Sequence, residues 1–220
     1  MQMGEMDRRP IKSRNTNWAR SFAAFLAKVG VTPNTISVFS VVFSGLALVF
    51  FYQAHGSDNY IVLFILAALC IQMRLICNLM DGMVAVEHNQ TSPVGDMYND
   101  VPDRFADLFI ILGAGYAIRD LPFAVELGWM GASLAITTAY IRVLGKSIGT
   151  DSYFLGPMAK PHRMALITVS ALLEIAAIHF DFGFSPIYYS LMILNIGCAI
   201  TCWRRLHTIA KEKTRMAEDG

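Results

Sequence analysis

Residues 60–118 read YIVLFILAALCIQMRLICNLMDGMVAVEHNQTSPVGDMYNDVPDRFADLFIILGAGYAI, and the fold turns on this stretch. Its opening run, Tyr60–Met80, is almost wholly apolar. That matches the ~20 residues a helix needs to cross ~30 Å of hydrocarbon. The closing run, Phe105–Ile118, is equally apolar but short. It reaches membrane length only if its helix begins near Pro93 and carries the polar residues 95–104 with it.

Outward from this pair, four more apolar runs stand at Thr35–Gln53, Phe123–Leu144, Met164–Phe180 and Ile187–Trp203. The whole chain is 55% hydrophobic and 16% charged, against about 25% charged in soluble domains. The expected fold is an all-α integral membrane protein of six transmembrane helices. Three of them share one start signal. Thr32-Pro33, Ser92-Pro93 and Ser185-Pro186 each place a capping hydroxyl before a proline at the first helical position. The connections Ala54–Asn59, Arg119–Pro122 and Asp181–Ser185 are too short to hold an external domain.

Basic residues orient the spans, because Lys and Arg concentrate on the cytoplasmic side. Arg8, Arg9, Lys12, Arg14, Arg20 and Lys28 precede the first span, and Arg142, Lys146, Lys160 and Arg163 surround the fourth connection. Arg204, Arg205, Lys211, Lys213 and Arg215 follow the last span, making fifteen of the 18 Lys and Arg in all. Both termini and the 81–100 and 145–163 connections are therefore expected in the cytoplasm, with the protein in a bacterial inner membrane. Residues Asn17–Val29 read as an amphipathic helix lying on the inner leaflet, with Trp18, Phe22, Phe25 and Leu26 toward lipid. An ordinary helix packed on the bundle is the competing reading. The divisions are a cytoplasmic arm and interfacial helix (1–31), a six-helix domain (32–203) and a basic tail (204–220).

Several classes of function are set aside. A net charge of +1 argues against nucleic acid as partner, and the polar, basic first 30 residues carry no signal-peptide core. Cys70, Cys77, Cys198 and Cys202 all fall within spans and are expected to be small packing residues rather than a disulfide framework. The glycosylation pattern at Asn89 is silent in a cytoplasmic loop.

Polar groups in and beside spans are costly and mark function by default. Here they collect around one hairpin. Asn78, Asp81 and Ala85 share one helix face, and Asp96, Asn99, Asp103 and Asp107 share another. The short 87–92 link predicts that the two helices are antiparallel neighbours, with Asn78 and Asp81 facing Asn99 and Asp103. An all-oxygen donor set from two helices suits Mg²⁺ or Mn²⁺. Gly82, Ala85 and Gly95 remove bulk beside it. Pro102 leaves the Tyr98 carbonyl without its helical donor. A solvated polar patch at a helix end is the bland alternative.

The spacing Asp81-Gly82-x2-Ala85-x9-Gly95-x7-Asp103 resembles the signature of the CDP-alcohol phosphatidyltransferase family, D-x2-D-G-x2-A-R-x8-G-x3-D-x3-D. Thr32-Pro33-Asn34 is similar to the family's T-P-N start, and Gly156-Pro157-x2-Lys160-x2-Arg163 to a basic segment of some bacterial members. The resemblance covers the whole chain. It implies a homodimer with a cytoplasm-facing site at which Asn78, Asp81, Asn99 and Asp103 bind Mg²⁺ or Mn²⁺. That site would transfer a phosphatidyl group from a CDP-linked lipid, CDP-diacylglycerol above all, to a hydroxyl acceptor, releasing CMP. Asp103 is implied as the base. Thr32, Asn34, Gly82, Ala85, Ser92 and Gly95 are implied as lining the donor.

Three positions depart from the signature: Asn78 and Asn99 replace aspartates, and Val86 replaces the arginine. Ligand charge over the four positions falls from −4 to −2, so one tight metal is expected. Asp96 and Asp100 lie near enough to restore charge, and Arg74 is the candidate for the missing phosphate contact. Arg142, Lys146, Lys160 and Arg163 are candidates for a second phosphate, on a phosphorylated acceptor or a membrane lipid, against plain inside-positive anchoring. A catalytically silent relative that binds CDP-lipid or scaffolds a partner is the principal competing function, and a small transporter fits less well.

Overall fold

The computed structural model describes residues 16–87 and 93–218, with every side chain in them except those of Glu87 and Asp96. Seven helices form: α1 (Asn17–Lys28), α2 (Pro33–Ala54), α3 (Tyr60–Glu87), α4 (Gly95–Ala117), α5 (Ala124–Ser147), α6 (Lys160–His179) and α7 (Pro186–Glu218). No strand occurs among the described residues. Five helices, α2, α3, α5, α6 and α7, are long and apolar enough to cross a membrane. α4 is not among them, since its first half carries Asn99, Asp100, Asp103, Arg104 and Asp107.

Two of the three proline starts fall where the capping logic puts them. Thr32 precedes Pro33 of α2, and its hydroxyl accepts the Thr35 N–H at 3.3 Å. Ser185 precedes Pro186 of α7, and its hydroxyl accepts the Tyr188 N–H at 3.2 Å. The third does not. Pro93 and Val94 form a turn, and α4 begins at Gly95; Ser92 lies outside the described residues. At the other extreme, α7 does not stop at Trp203 but runs on to Glu218. Residues 204–218, expected as a tail, are the continuation of a helix on which Arg204, Lys211, Lys213 and Arg215 are exposed while Arg205 is buried.

Going round the bundle, the helices follow the order α3–α2–α4–α5–α7–α6 and close back on α3, with α1 laid against α3. This corrects the expectation that α3 and α4 are packed neighbours. α2 is wedged between them, and α3 meets α4 at few positions. The wedge is possible because α2 turns a narrow face inward: Ser37, Ser40, Ser44 and Ala47 are all buried. The Ser40 hydroxyl donates to the Ser37 carbonyl and that of Ser44 to the Ser40 carbonyl, so both are satisfied on their own helix. On the α4 side Gly113 lets the backbones close up, since a Cβ there would stand 2.8 Å from Leu48 Cα. A similar approach joins α4 to α5, where a Cβ on Gly115 would meet the Ala124 carbonyl oxygen at 2.8 Å.

The main apolar core fills the ring with Phe51, Phe64, Ile71, Ile110, Ile111, Met164, Ile167, Leu191 and Leu194. A second cluster, Ala19, Ala23, Ile36, Met80, Met83 and Val84, seats α1 on α2 and α3. Trp18, Phe22 and Phe25 point away from that contact and are exposed. Leu26, expected toward lipid with them, packs partly against the second cluster.

Candidate active site

One end of the ring gathers the amino ends of α2, α4 and α6, the carboxyl ends of α3 and α5, and the middle of α7. The interior there is charged. Asp81, from α3, is buried, with one carboxylate oxygen accepting the Ser37 hydroxyl of α2 at 2.8 Å. Its other oxygen takes the N–H of Gly82 at 2.6 Å. Thr32 caps this helix, and Asn34 lies one turn before Ser37 on it.

Asp103 and Asp107, one turn apart on α4, face the ring interior and are both buried. The Arg74 guanidinium of α3, wholly buried, lies between them, 2.9 Å from Asp107 Oδ1 and 3.6 Å from Asp103 Oδ1. From α6, the Lys160 ammonium pairs with Asp103 Oδ2, and Arg163 reaches Asp107 Oδ2 at 2.6 Å. Arg163 is anchored in turn on the Met158 carbonyl at 2.8 Å. Thus three carboxylates and three cations interleave where α3, α4 and α6 meet across the ring. Such burial is tolerable because Asp103 and Asp107 each find a cation and Asp81 finds two hydrogen-bond donors.

The accounting is incomplete at named atoms. Asp103 Oδ1 is buried without a hydrogen-bond partner, as are Nε and Nη1 of Arg74 and Nε of Arg163. A buried carboxylate oxygen left without a donor is costly unless a cation or an incoming hydroxyl completes it.

Among the predicted site residues, Asn78 is half-buried one turn before Asp81, and Asn99 is exposed one turn before Asp103. Gly82, Ala85 and Gly95 are half-buried at the helix ends. Asp100 faces the other way, held by Arg142 at 3.0 Å and Arg104 at 3.4 Å. Arg142 also lies over the Phe154 ring, 5.4 Å from its centre. Ser92 and the side chain of Asp96 fall outside the description.

Among the described residues no three His, Cys, Asp or Glu side chains gather into a metal cage. Two of the four signature positions are amides, and the carboxylate of Asp103 is already paired with Lys160. The chemistry of the set still fits a hard cation: two carboxylates, two amide oxygens and one buried oxygen without a donor.

Sequence reasoning did not find Ser37 or the partners of Asp107. Ser37 carried a usable signal, since it lies one turn after Asn34 on a hydroxyl-bearing stripe. The pairing of Asp107 with residues 33 and 56 positions away carried none.

Opposite this end lies a cavity of about 590 Å³, lined by His55, Phe64, Asp120, Glu174, Asp181 and Phe184 among others. It contains none of the signature residues. The 148–159 connection, on the charged side, is fastened to α7 through a Tyr153–Glu212 hydrogen bond of 2.5 Å and through Arg205 donating to the Leu155 carbonyl at 3.0 Å. The bond to Glu212 holds the Tyr153 phenol above its ordinary range.

A ring of long apolar helices with a buried carboxylate cluster at one end is the architecture of a multi-pass membrane protein. The chain belongs to the CDP-alcohol phosphatidyltransferase family, whose model matches residues 30–203. It is accordingly a transferase of phospholipid synthesis.

Among its relatives is the phosphatidylinositol phosphate synthase of Streptomyces avermitilis, 27% identical over 202 residues that span 87% of this chain and 77% of that one. An uncharacterized protein of Aquifex aeolicus is 26% identical over 190 residues, 85% of this chain and 86% of that one. The fold matches that of the Mycobacterium tuberculosis phosphatidylinositol phosphate synthase (PgsA1). Its structure with CDP-DAG bound aligns at a TM-score of 0.72 and 21% identity, covering 88% of this chain and 94% of that one. Its complex with manganese and citrate aligns at 0.72 and 20%, covering 87% and 88%.

Proposed function

We propose that the protein transfers the phosphatidyl group of CDP-diacylglycerol to a hydroxyl acceptor, releasing CMP, in a divalent-metal-dependent reaction. The observation that carries this is Asp103 Oδ1, buried at the end of the signature and lacking a donor. A hydroxyl brought to that oxygen gives up its proton to it. The acceptor oxygen then forms a bond to the phosphorus bearing the diacylglycerol. The bond from that phosphorus to the CMP oxygen breaks, and CMP leaves with the electron pair.

Asp81 and Asp103, with Asn78 and Asn99, would hold one Mg²⁺ or Mn²⁺, and the ion's part is to neutralise charge on the donor pyrophosphate. The manganese and CDP-DAG held by the Mycobacterium tuberculosis protein support both choices. Ser37 and the Gly82 N–H fix the orientation of Asp81. Thr32, Asn34, Gly82, Ala85, Ser92 and Gly95 line the donor. Lys160, with Arg142 at the rim, is the cation best set to draw an acceptor phosphate, so a phosphorylated acceptor is the favoured class; Arg163, expected beside it, is instead buried on Asp107 and the Met158 carbonyl. Arg74, flanked by two carboxylates, acts on those carboxylates rather than on a phosphate.

The domain 32–203 crosses a bacterial inner membrane six times, α4 completing the set, with both termini and the site in the cytoplasm and a second copy making a homodimer. α1 lies on the inner leaflet. Its exposed Trp18, Phe22 and Phe25 support this, with Ala19 and Ala23 turned to the bundle. The basic continuation of α7 beyond residue 203 stands in the cytoplasm.

Asn78, Asn99 and Val86 favour a second reading, a silent relative that binds CDP-lipid without turnover. Purified protein incubated with CDP-diacylglycerol, Mn²⁺ and either glycerol phosphate or inositol phosphate decides between them. CMP release that chelation abolishes is expected. Donor binding with no CMP from any acceptor would install the silent relative instead. Mass spectrometry of membrane lipids with and without the protein then identifies the product.

A further inference from the structure

We propose that Asp107, which lies outside the family signature, is a positioning residue that keeps Arg74 off Asp103. The inference rests on the reading of Asp103 as metal ligand and base, and it deepens that reading. Arg74 has two carboxylates within reach of the same nitrogen. Its Nη2 makes a hydrogen bond of 2.9 Å to Asp107 Oδ1, but stops 3.6 Å from Asp103 Oδ1. That second distance lies within ion-pair range and beyond hydrogen-bond reach. Asp103 Oδ1 is consequently the oxygen left without a donor.

Asp107 cannot slide toward Arg74 and change this division, because its other oxygen is pinned. Arg163 takes Oδ2 at 2.6 Å and is itself fixed on the Met158 carbonyl at 2.8 Å. One carboxylate, 1% exposed, thus ties α3 and α6 to α4. Without the charge on Asp107, the one carboxylate left within ion-pair range of Arg74 among the described residues is Asp103. A guanidinium facing a lone carboxylate closes to the bidentate pair, which uses both carboxylate oxygens or displaces what they held. Nη1 and Nε of Arg74 have no other partner to restrain them. The oxygen meant for a cation or a hydroxyl would be consumed by an internal salt bridge.

The test is Mn²⁺ binding followed by electron paramagnetic resonance on the full-length protein, with CMP release measured alongside. Asp107→Asn should weaken Mn²⁺ binding by about 10- to 100-fold, the range for lost outer-shell partners of a metal site. It should also lower kcat while leaving the KM for CDP-diacylglycerol within about twofold of the parent value. In the double variant R74M/D107N the competitor is gone, and Mn²⁺ binding should return to within about threefold of the parent. A residue that merely held the fold would show no such rescue. D107N binding Mn²⁺ like the parent overturns the proposal, as does a folded double variant that binds weakly. If D107N alone does not fold, the double variant decides. A parent protein that binds no Mn²⁺ overturns the proposal too. A parent that binds Mn²⁺ but releases no CMP sinks the catalytic reading alone, and the rescue still judges Asp107.

Discussion

Each end of the bundle buries a carboxylate, and the two are treated in opposite ways. At the end away from the signature, Glu174 of α6 is 4% exposed. Its Oε2 accepts the Ile187 N–H and the Ser185 hydroxyl, both at 2.9 Å. Ser185 itself caps α7, so Glu174 reaches from a neighbouring helix to complete the cap and place a negative charge at a helix amino terminus. At the signature end, Asp103 is 7% exposed, pairs with Lys160, lies within ion-pair range of Arg74, and retains an oxygen with no donor. The first carboxylate is satisfied and structural. The second keeps a buried oxygen without a donor, and that difference supports placing the proposed chemistry at this end.

The sharpest way to break the contrast is to neutralise both acids isosterically. Asp103→Asn should lower CMP release by about 10³-fold or more, since it removes the proposed base and a charged metal ligand together. Asp81→Ala should likewise abolish turnover. Glu174→Gln keeps an acceptor oxygen for Ser185 and Ile187 and should leave turnover per folded molecule within about twofold. Comparable losses from Asp103→Asn and Glu174→Gln would remove the distinction between the two ends.

Stability should move the other way. Glu174→Ala takes the acceptor from the Ile187 N–H and the Ser185 hydroxyl, at a cost of about 2 kcal/mol. Thermal unfolding in detergent would register this as a lowered midpoint, with CMP release by the folded fraction unchanged. An unchanged midpoint would mean that water already serves these groups.

Much of this contrast was legible in the sequence, and the missing parts share one cause. Apolar runs of membrane length, Thr32-Pro33 and Ser185-Pro186 gave the helices their places, because length and capping are local properties. Periodicity placed Asp103 and Asp107 on one face of α4, and Asn78 and Asp81 on one face of α3. It could not say what those faces meet. The short link between α3 and α4 suggested side-by-side packing, yet close approach is decided by side-chain bulk, and the serine stripe of α2 with Gly113 opposite admits α2 between them. The partners of Asp107 come from helices distant in sequence, so its role could not be read there; those of Glu174 lie only 11 and 13 residues on, but across a turn whose path no periodicity sets. The length of α7 was missed for a different reason. Its basic end was read as a tail, although Arg, Lys, Glu and Ala are all good helix formers.

The smallest effect tests why the signature end is left less charged than its family pattern. Asn78 stands one turn before Asp81, where the signature has aspartate. Asn78→Asp adds a third carboxylate to the proposed metal donors without adding a cation, so in the presence of a chelator the variant should be slightly less stable than the parent. A bound divalent ion reverses the sign, because each added carboxylate strengthens the hold on a hard cation. Half-maximal activation by Mn²⁺ should then occur at about tenfold lower concentration, with maximal turnover changed far less. The same substitution made near Glu174, for instance Ser185→Asp, should give only the loss of stability, since that end offers the added charge nothing but another carboxylate. If Asn78→Asp lowers stability and leaves the Mn²⁺ dependence where it was, Asn78 does not face the ion, and the donor set shrinks to Asp81, Asp103 and whatever the substrate supplies.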